Sequence, residues 1–155
     1  MNTHSLKNNN SAYASYKSKE ISTLKRIFNF FGITDYQFTS DEYCVYDAIF
    51  TTVKGTFIVE IKCRDIAERT YPTALIDSRK IDDITRIAEA SGYTALVFYT
   101  WCDDILRIFN ATQIQKSPKK FKNAPKSTAN SREDKISKEF YEFPLSIGKR
   151  IVLPA

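Results

Sequence analysis

Residues 56 to 65 read TFIVEIKCRD, an apolar run with a glutamate at 60 and a lysine at 62 set inside it. Its β-branched and aromatic residues predict a strand. The period of two puts Ile58, Glu60 and Lys62 on one face and Phe57, Val59 and Ile61 on the other. A charge turned toward a core is costly unless it is paired or used, so this strand predicts either an ion pair or a site.

Just upstream, DEYCVYDAIFTT (41–52) has the same strand character, and Val53-Lys54-Gly55 supplies a turn glycine. The two runs predict a β-hairpin. Asp47 lies on the face of Val45 and Ile49. Its partner depends on the turn: a four-residue loop Thr52 to Gly55 sets Asp47 opposite Glu60, and a two-residue loop Lys54-Gly55 sets it opposite Lys62. A three-residue loop without a bulge breaks the arrangement. Two carboxylates side by side repel unless a cation lies between them, and a hard divalent metal with oxygen ligands suits that role. Lys62 would then hold a water or stabilise charge developing on a phosphate.

The spacing alone is weak evidence. Glu133-Asp134-Lys135 repeats Glu-x-Lys in a polar run and means nothing by itself. The plain alternative for Glu60 and Lys62 is an exposed sheet face with a cross-strand salt bridge, worth about 0.2–1 kcal/mol.

Around the hairpin, Ile21, Leu24, Ile27, Phe28 and Phe31 recur at helical spacing and Gly32 ends the pattern. A second helix is signalled by Ile81, Ile84, Ile87 and Ala88, closed by Gly92. YTALVFYTW (93–101) is nearly continuous in apolar residues, as in a strand covered on both faces, and ILRIF (105–109) follows it as a further strand. The order α-β-β-α-β-β, with room for one further early strand, implies an α/β fold with a mixed central sheet flanked by helices. Four segments are expected: a flexible N-terminus over 1–13, a core over 14–112, a basic loop or arm over 113–138, and a C-terminal segment, 139–155, docking on the core.

Charge is uneven. Residues 1–110 hold 13 Lys and Arg against 14 Asp and Glu, whereas residues 111–155 hold 10 against 4. A basic segment beside a near-neutral core suggests a polyanion partner, with a solubilising tail as the alternative. The one histidine, His4, lies in the polar N-terminus, which argues against a histidine triad or a zinc-histidine site. Cys44, Cys63 and Cys102 match no zinc or disulfide spacing and read as reduced thiols. With no signal-peptide pattern and no apolar run of membrane length, a cytoplasmic protein with no membrane partner is expected.

YDAIF, a turn and IVEIK, set between a helix and a second helix with its buried strand, resemble the PD-(D/E)XK nuclease superfamily and, within it, the small Holliday-junction-resolvase-like nucleases of phages and archaea. The resemblance covers roughly residues 14 to 110. It implies a restriction-endonuclease-like core and a Mg2+-dependent endonuclease, with Mn2+ as a substitute metal, acting on DNA, with branched or otherwise structured DNA among its candidate substrates. Asp47 and Glu60 would be the metal carboxylates, Lys62 the catalytic lysine, and Glu20 an added metal-site acid from the first helix. Tyr46 stands where the motif has proline. Arg64, Arg79 and Lys80 would face nucleic acid near the site, and Lys116, Lys119, Lys120, Lys122 and Lys126 would hold the backbone electrostatically. Tyr46 and Tyr71 are read as packing residues, with site lining as the alternative. A junction-resolving role calls for a symmetric homodimer. Two other readings stay open: a non-catalytic nucleic-acid-binding or interaction module on the same fold, and an RNA endonuclease using the same site.

Overall fold

In a computed structural model, which describes residues 11–39, 44–125 and 135–155, the decisive hairpin closes through a two-residue turn, Val53-Lys54. Strand β2 (Ala48–Thr52) pairs antiparallel with β3 (Gly55–Cys63), from Thr52 opposite Gly55 to Ala48 opposite Val59. Continued by one residue, this register sets Asp47 opposite Glu60. It is the register expected from a four-residue loop, reached here with a tighter turn. Gly55 sits at φ 132°, a backbone setting that side-chain-bearing residues rarely adopt.

Helix α1 (Ser11–Phe31) precedes a short strand, β1 (Tyr36–Phe38), which is the further early strand and pairs with β2. After β3 come β4 (Thr73–Asp77), helix α2 (Ser78–Ser91), β5 (Thr94–Thr100) and β6 (Ile105–Asn110). A short helix, α3 (Ala111–Ile114), leads to β7 (Lys119–Pro125), β8 (Lys135–Pro144) and β9 (Lys149–Val152). The central sheet has six strands in the order β1-β2-β3-β5-β6-β9. Only β3 and β5 run parallel in it, because the α2 crossover joins them; its other pairs are antiparallel. A separate antiparallel sheet has the order β4-β8-β7. The expected α/β fold, a mixed sheet flanked by helices, is the one observed.

Alternation along β3 divides the core in two. Val59 and Ile61 join Ala48, Phe50 and Phe98 under α1, which contributes Leu24, Ile27 and Phe28. Full burial of side chains of this size stabilises by about 1.5–3 kcal/mol each. Ile58 faces the other way, toward Ile81, Ile84 and Ala88 of α2 and toward Ala74, Ile76, Tyr141 and Phe143 of the smaller sheet. Glu60 and Lys62, at even positions, emerge on that second side. Asp77 caps α2 by accepting a hydrogen bond from the Arg79 amide, and Gly92 ends the helix in the left-handed conformation at φ 72°.

Three segments depart from expectation. Residues 113–138, expected as a basic loop or arm, contain strand β7 and the start of β8; residues 126–134, Lys126 among them, lie outside the described residues. The lysines in KKFKNAP hide the strand alternation, and pairing with the apolar-bearing β8 supplies the stability that local propensity lacks. TALID (73–77), which the sequence pattern assigns to no element, forms β4 because Ala74 and Ile76 are buried in the core while Thr73, Leu75 and Asp77 are half-buried. Helix α1 also begins at Ser11, inside the expected flexible terminus, whose residues 1–10 are outside the described residues. Near the C-terminus, β9 pairs with β6 at the sheet edge.

Candidate active site

The β2–β3 register brings the acids together. Asp47 immediately precedes β2, where its amide donates to the Val59 carbonyl at 2.9 Å and its Oδ2 accepts the Ile61 amide at 2.8 Å. The carboxylate thus takes the place of a ladder carbonyl at the point where the two strands part. Glu60 is 1% exposed. Its Oε1 lies 2.7 Å from Lys80 Nζ and 3.3 Å from Lys62 Nζ. Its buried Oε2 meets no N–H or hydroxyl donor, and the Asp47 carboxyl, when protonated, hydrogen-bonds the Glu60 carboxylate. Two buried carboxylates side by side are held either by a shared proton or by a cation between them.

Lys80 enters from the first turn of α2, three residues after the Asp77 cap. On the α1 side, Lys17 Nζ is 3.8 Å from Asp47 Oδ1, and Glu20 lies one turn further along the same helix. Lys17 is absent from the residues that the sequence pattern singles out. Its position three residues before Glu20 on one helix face is the signal that could have found it.

Electrostatics bind these groups into one unit. Burial, then the nearby Glu60 and Glu20 charges, push the Asp47 carboxyl up to about 8, against the Ile61 hydrogen bond that favours its ionised form. Burial and the Glu60 charge also raise Glu20, with Lys62, Lys17 and Lys80 opposing. Glu60 goes the other way: burial acts to raise it, but Lys62 and Lys80 together hold it below the ordinary range. Burial acts to lower Lys80, and the Glu60 charge and hydrogen bond outweigh that and raise it. Glu60 is therefore the fixed anion of the cluster, and Asp47 is the acid that holds a proton near neutrality.

Among the described residues, no three His, Cys, Asp or Glu side chains are gathered closely enough to make a ready metal centre. Two carboxylates are nevertheless a common protein share of a Mg2+ site, the rest being water and substrate oxygens. The paired carboxyls of Asp47 and Glu60 fit such an ion by donor type. Lys80 and Lys62 lie where they would have to share Glu60 with it.

The other expected residues are dispersed. Arg64 donates from Nε to the Tyr99 hydroxyl at 2.9 Å and stacks over that ring, so its guanidinium is held against a buried aromatic. Arg79 is exposed on α2. Lys116, Lys119, Lys120 and Lys122 lie on and before β7, with Lys119 pairing with Glu139 and Lys120 with Glu142. Tyr46 packs half-buried against the α2-side core, whereas Tyr71, read as packing, is 62% exposed.

Helix, hairpin, crossover helix and buried parallel strand build the same kind of fold as a junction resolvase of known structure. Among solved structures, the chain resembles Hjc, a Holliday junction resolvase from the archaeal hyperthermophile Archaeoglobus fulgidus, with a TM-score of 0.57 and 14% identity over 88% of this chain and 92% of that one. D212, a nuclease from a fusselovirus, is 19% identical with a TM-score of 0.37, covering 88% of this chain and 83% of that one. No family model matches the sequence, and no curated protein matches it. No described helix is long and apolar enough to cross a membrane.

Proposed function

We propose that this chain is a metal-dependent endonuclease that hydrolyses phosphodiester bonds in DNA, with branched or otherwise structured DNA as its substrate class. The observation that carries this reading is the buried Glu60 carboxylate, paired with the Asp47 carboxyl and with two lysines on Oε1, in a fold shared with a junction resolvase. Asp47 and Glu60 would hold Mg2+ or Mn2+, with the nearby Glu20 charge adding to the attraction for the cation, and the metal when bound polarises the phosphate and acidifies a water. Lys62, 22% exposed at its side chain and already beside Glu60, is placed to orient the attacking water or to meet charge on the phosphate. Lys80 holds Glu60 ionised and is placed to move onto a phosphate oxygen. The proton on Asp47 near neutrality would leave when a cation binds.

One observation favours a second reading, a nucleic-acid-binding module without catalysis. Lys80 and Lys62 already neutralise Glu60 with no metal needed. Thermal stability measured against Mg2+ or Mn2+ separates the two readings: a working site binds the ion and raises the melting point, and a charge-balanced, inert one does not respond. Linear, nicked, flapped and four-way-junction DNA, with RNA counterparts, incubated with either metal then define the substrate. Strand scission confined to branched DNA supports the proposal, and its absence from every substrate under both metals overturns it.

A further inference from the structure

The smaller sheet carries a charged feature that the cluster around Glu60 does not use. In the β7–β8 pairing, Lys122 stands directly opposite Lys138, and Lys120 stands opposite Phe140 on the same side. Opposed residues of an antiparallel pair share a face, as do residues two apart on one strand. The opposite face carries Tyr141 and Phe143 into the core, so the lysine face points outward. Lys138 lies 3.9 Å from Asp77 and Lys120 3.6 Å from Glu142, while Lys122 has no acidic partner among the described residues. Two like charges placed opposite each other destabilise a strand pair. An anion laid across them would reverse that sign.

This ribbon is tied to the start of α2. Asp77, which meets Lys138, is the cap of that helix. Ser78 donates from Oγ to the Glu139 carbonyl at 3.1 Å and to its carboxylate at 2.8 Å. Lys80, one half-turn further on, reaches Glu60. β7 is also the outer strand of its sheet, with one edge unpaired among the described residues. Lysines repeating every second residue lie roughly 7 Å apart along a strand, a row suited to successive phosphates of one polynucleotide strand.

We propose that the outward face of the β7–β8 ribbon, centred on Lys122 and Lys138 with Lys120 beside them, is a docking surface for the phosphate backbone of duplex DNA. The inference rests on the nuclease reading of the Glu60 site and adds where the substrate lies relative to it.

The test uses the full chain and a fluorescein-labelled DNA duplex in metal-free buffer, with dissociation constants measured over a series of salt concentrations. For every lysine–phosphate pairing that a variant removes, the slope of log affinity against log salt should fall by about 0.9. The K120Q/K122Q double variant is therefore expected to bind more weakly, with a slope shallower by about 1–2, and to melt no lower than the wild type, since it relieves the Lys122–Lys138 repulsion. A K122E variant should bind more weakly still. Unchanged affinity and slope in both variants overturn the proposal. Cleavage by wild type and E60A is measured in parallel with metal present. If wild type does not cleave but the slope still falls in the lysine variants, the nuclease reading fails and the ribbon surface stands.

Discussion

The Ile61 amide donates to Asp47 Oδ2 at 2.8 Å, across the end of the β2–β3 ladder. This bond links the hairpin register to the chemistry, because it holds a buried acid beside Glu60 where a backbone carbonyl would otherwise sit. With its carboxyl raised from the ordinary 3.8 to about 8, Asp47 is bound to a proton in the folded chain and ionised in the unfolded chain between those values. The folded state then binds more protons than the unfolded state, so this group's contribution to stability falls as pH rises through the window, by up to about 1.4 kcal/mol per unit. Asp47→Asn removes that dependence. The variant is expected to exceed wild type in urea stability at about pH 8 without metal, and to show a flatter profile between about pH 5 and 8.

Lys80 and Glu60 are expected to be coupled strongly because Glu60 is buried. Lys80→Met leaves Lys62 as the remaining cation on Glu60 and should destabilise the chain by about 1–3 kcal/mol. Glu60→Gln in the same background should recover part of the loss. A double-mutant cycle by chemical denaturation measures the coupling, and additive losses would show that the 2.7 Å pair contributes little.

A metal bound by Asp47 and Glu60 should stabilise the fold by mass action. At about a hundredfold excess over its dissociation constant the gain is about 2.7 kcal/mol, which for a chain of this size raises the melting temperature by roughly 5–10 °C. Glu60→Ala should abolish the response. Differential scanning fluorimetry with Mg2+ and Mn2+ reads both.

Glu68 offers a contrast within the same chain. It is buried, and its carboxylate accepts from Arg107 Nε at 2.7 Å and from Arg150 Nε at 3.1 Å. Arg107 also donates to the Leu145 and Gly148 carbonyls. Both carboxylate oxygens are satisfied, so this cluster ties β6, β9 and the turn before β9 together rather than awaiting a ligand. Glu68→Gln is expected to cost about 3 kcal/mol in unfolding free energy and to leave the metal response of the melting temperature unchanged.

The hairpin and its charged face are legible in the sequence because strand parity is strict: once the register is set, Asp47, Glu60 and Lys62 must share a side. Helices α1 and α2 are legible from apolar spacing and from Gly32 and Gly92. Strand β7 is not, since Lys119, Lys120 and Lys122 mask an alternation that only pairing with β8 reveals. Lys17 escapes notice because it reaches Asp47 from a helix far away in sequence, and Lys80 is visible only as a basic residue near a helix start. Its 2.7 Å contact with Glu60 depends on how α2 crosses the sheet, which no local pattern encodes.

Whether Glu60 and Lys62 carry out phosphodiester hydrolysis is decided by single-turnover cleavage of a labelled four-way DNA junction by wild type, Glu60→Ala and Lys62→Ala, with Mg2+ and with the folding of each variant verified. Scission by wild type is expected, with a loss of at least about a hundredfold in each variant, the scale of removing one group that stabilises the transition state. Equal cleavage by wild type and both folded variants would contradict the assignment of these two residues.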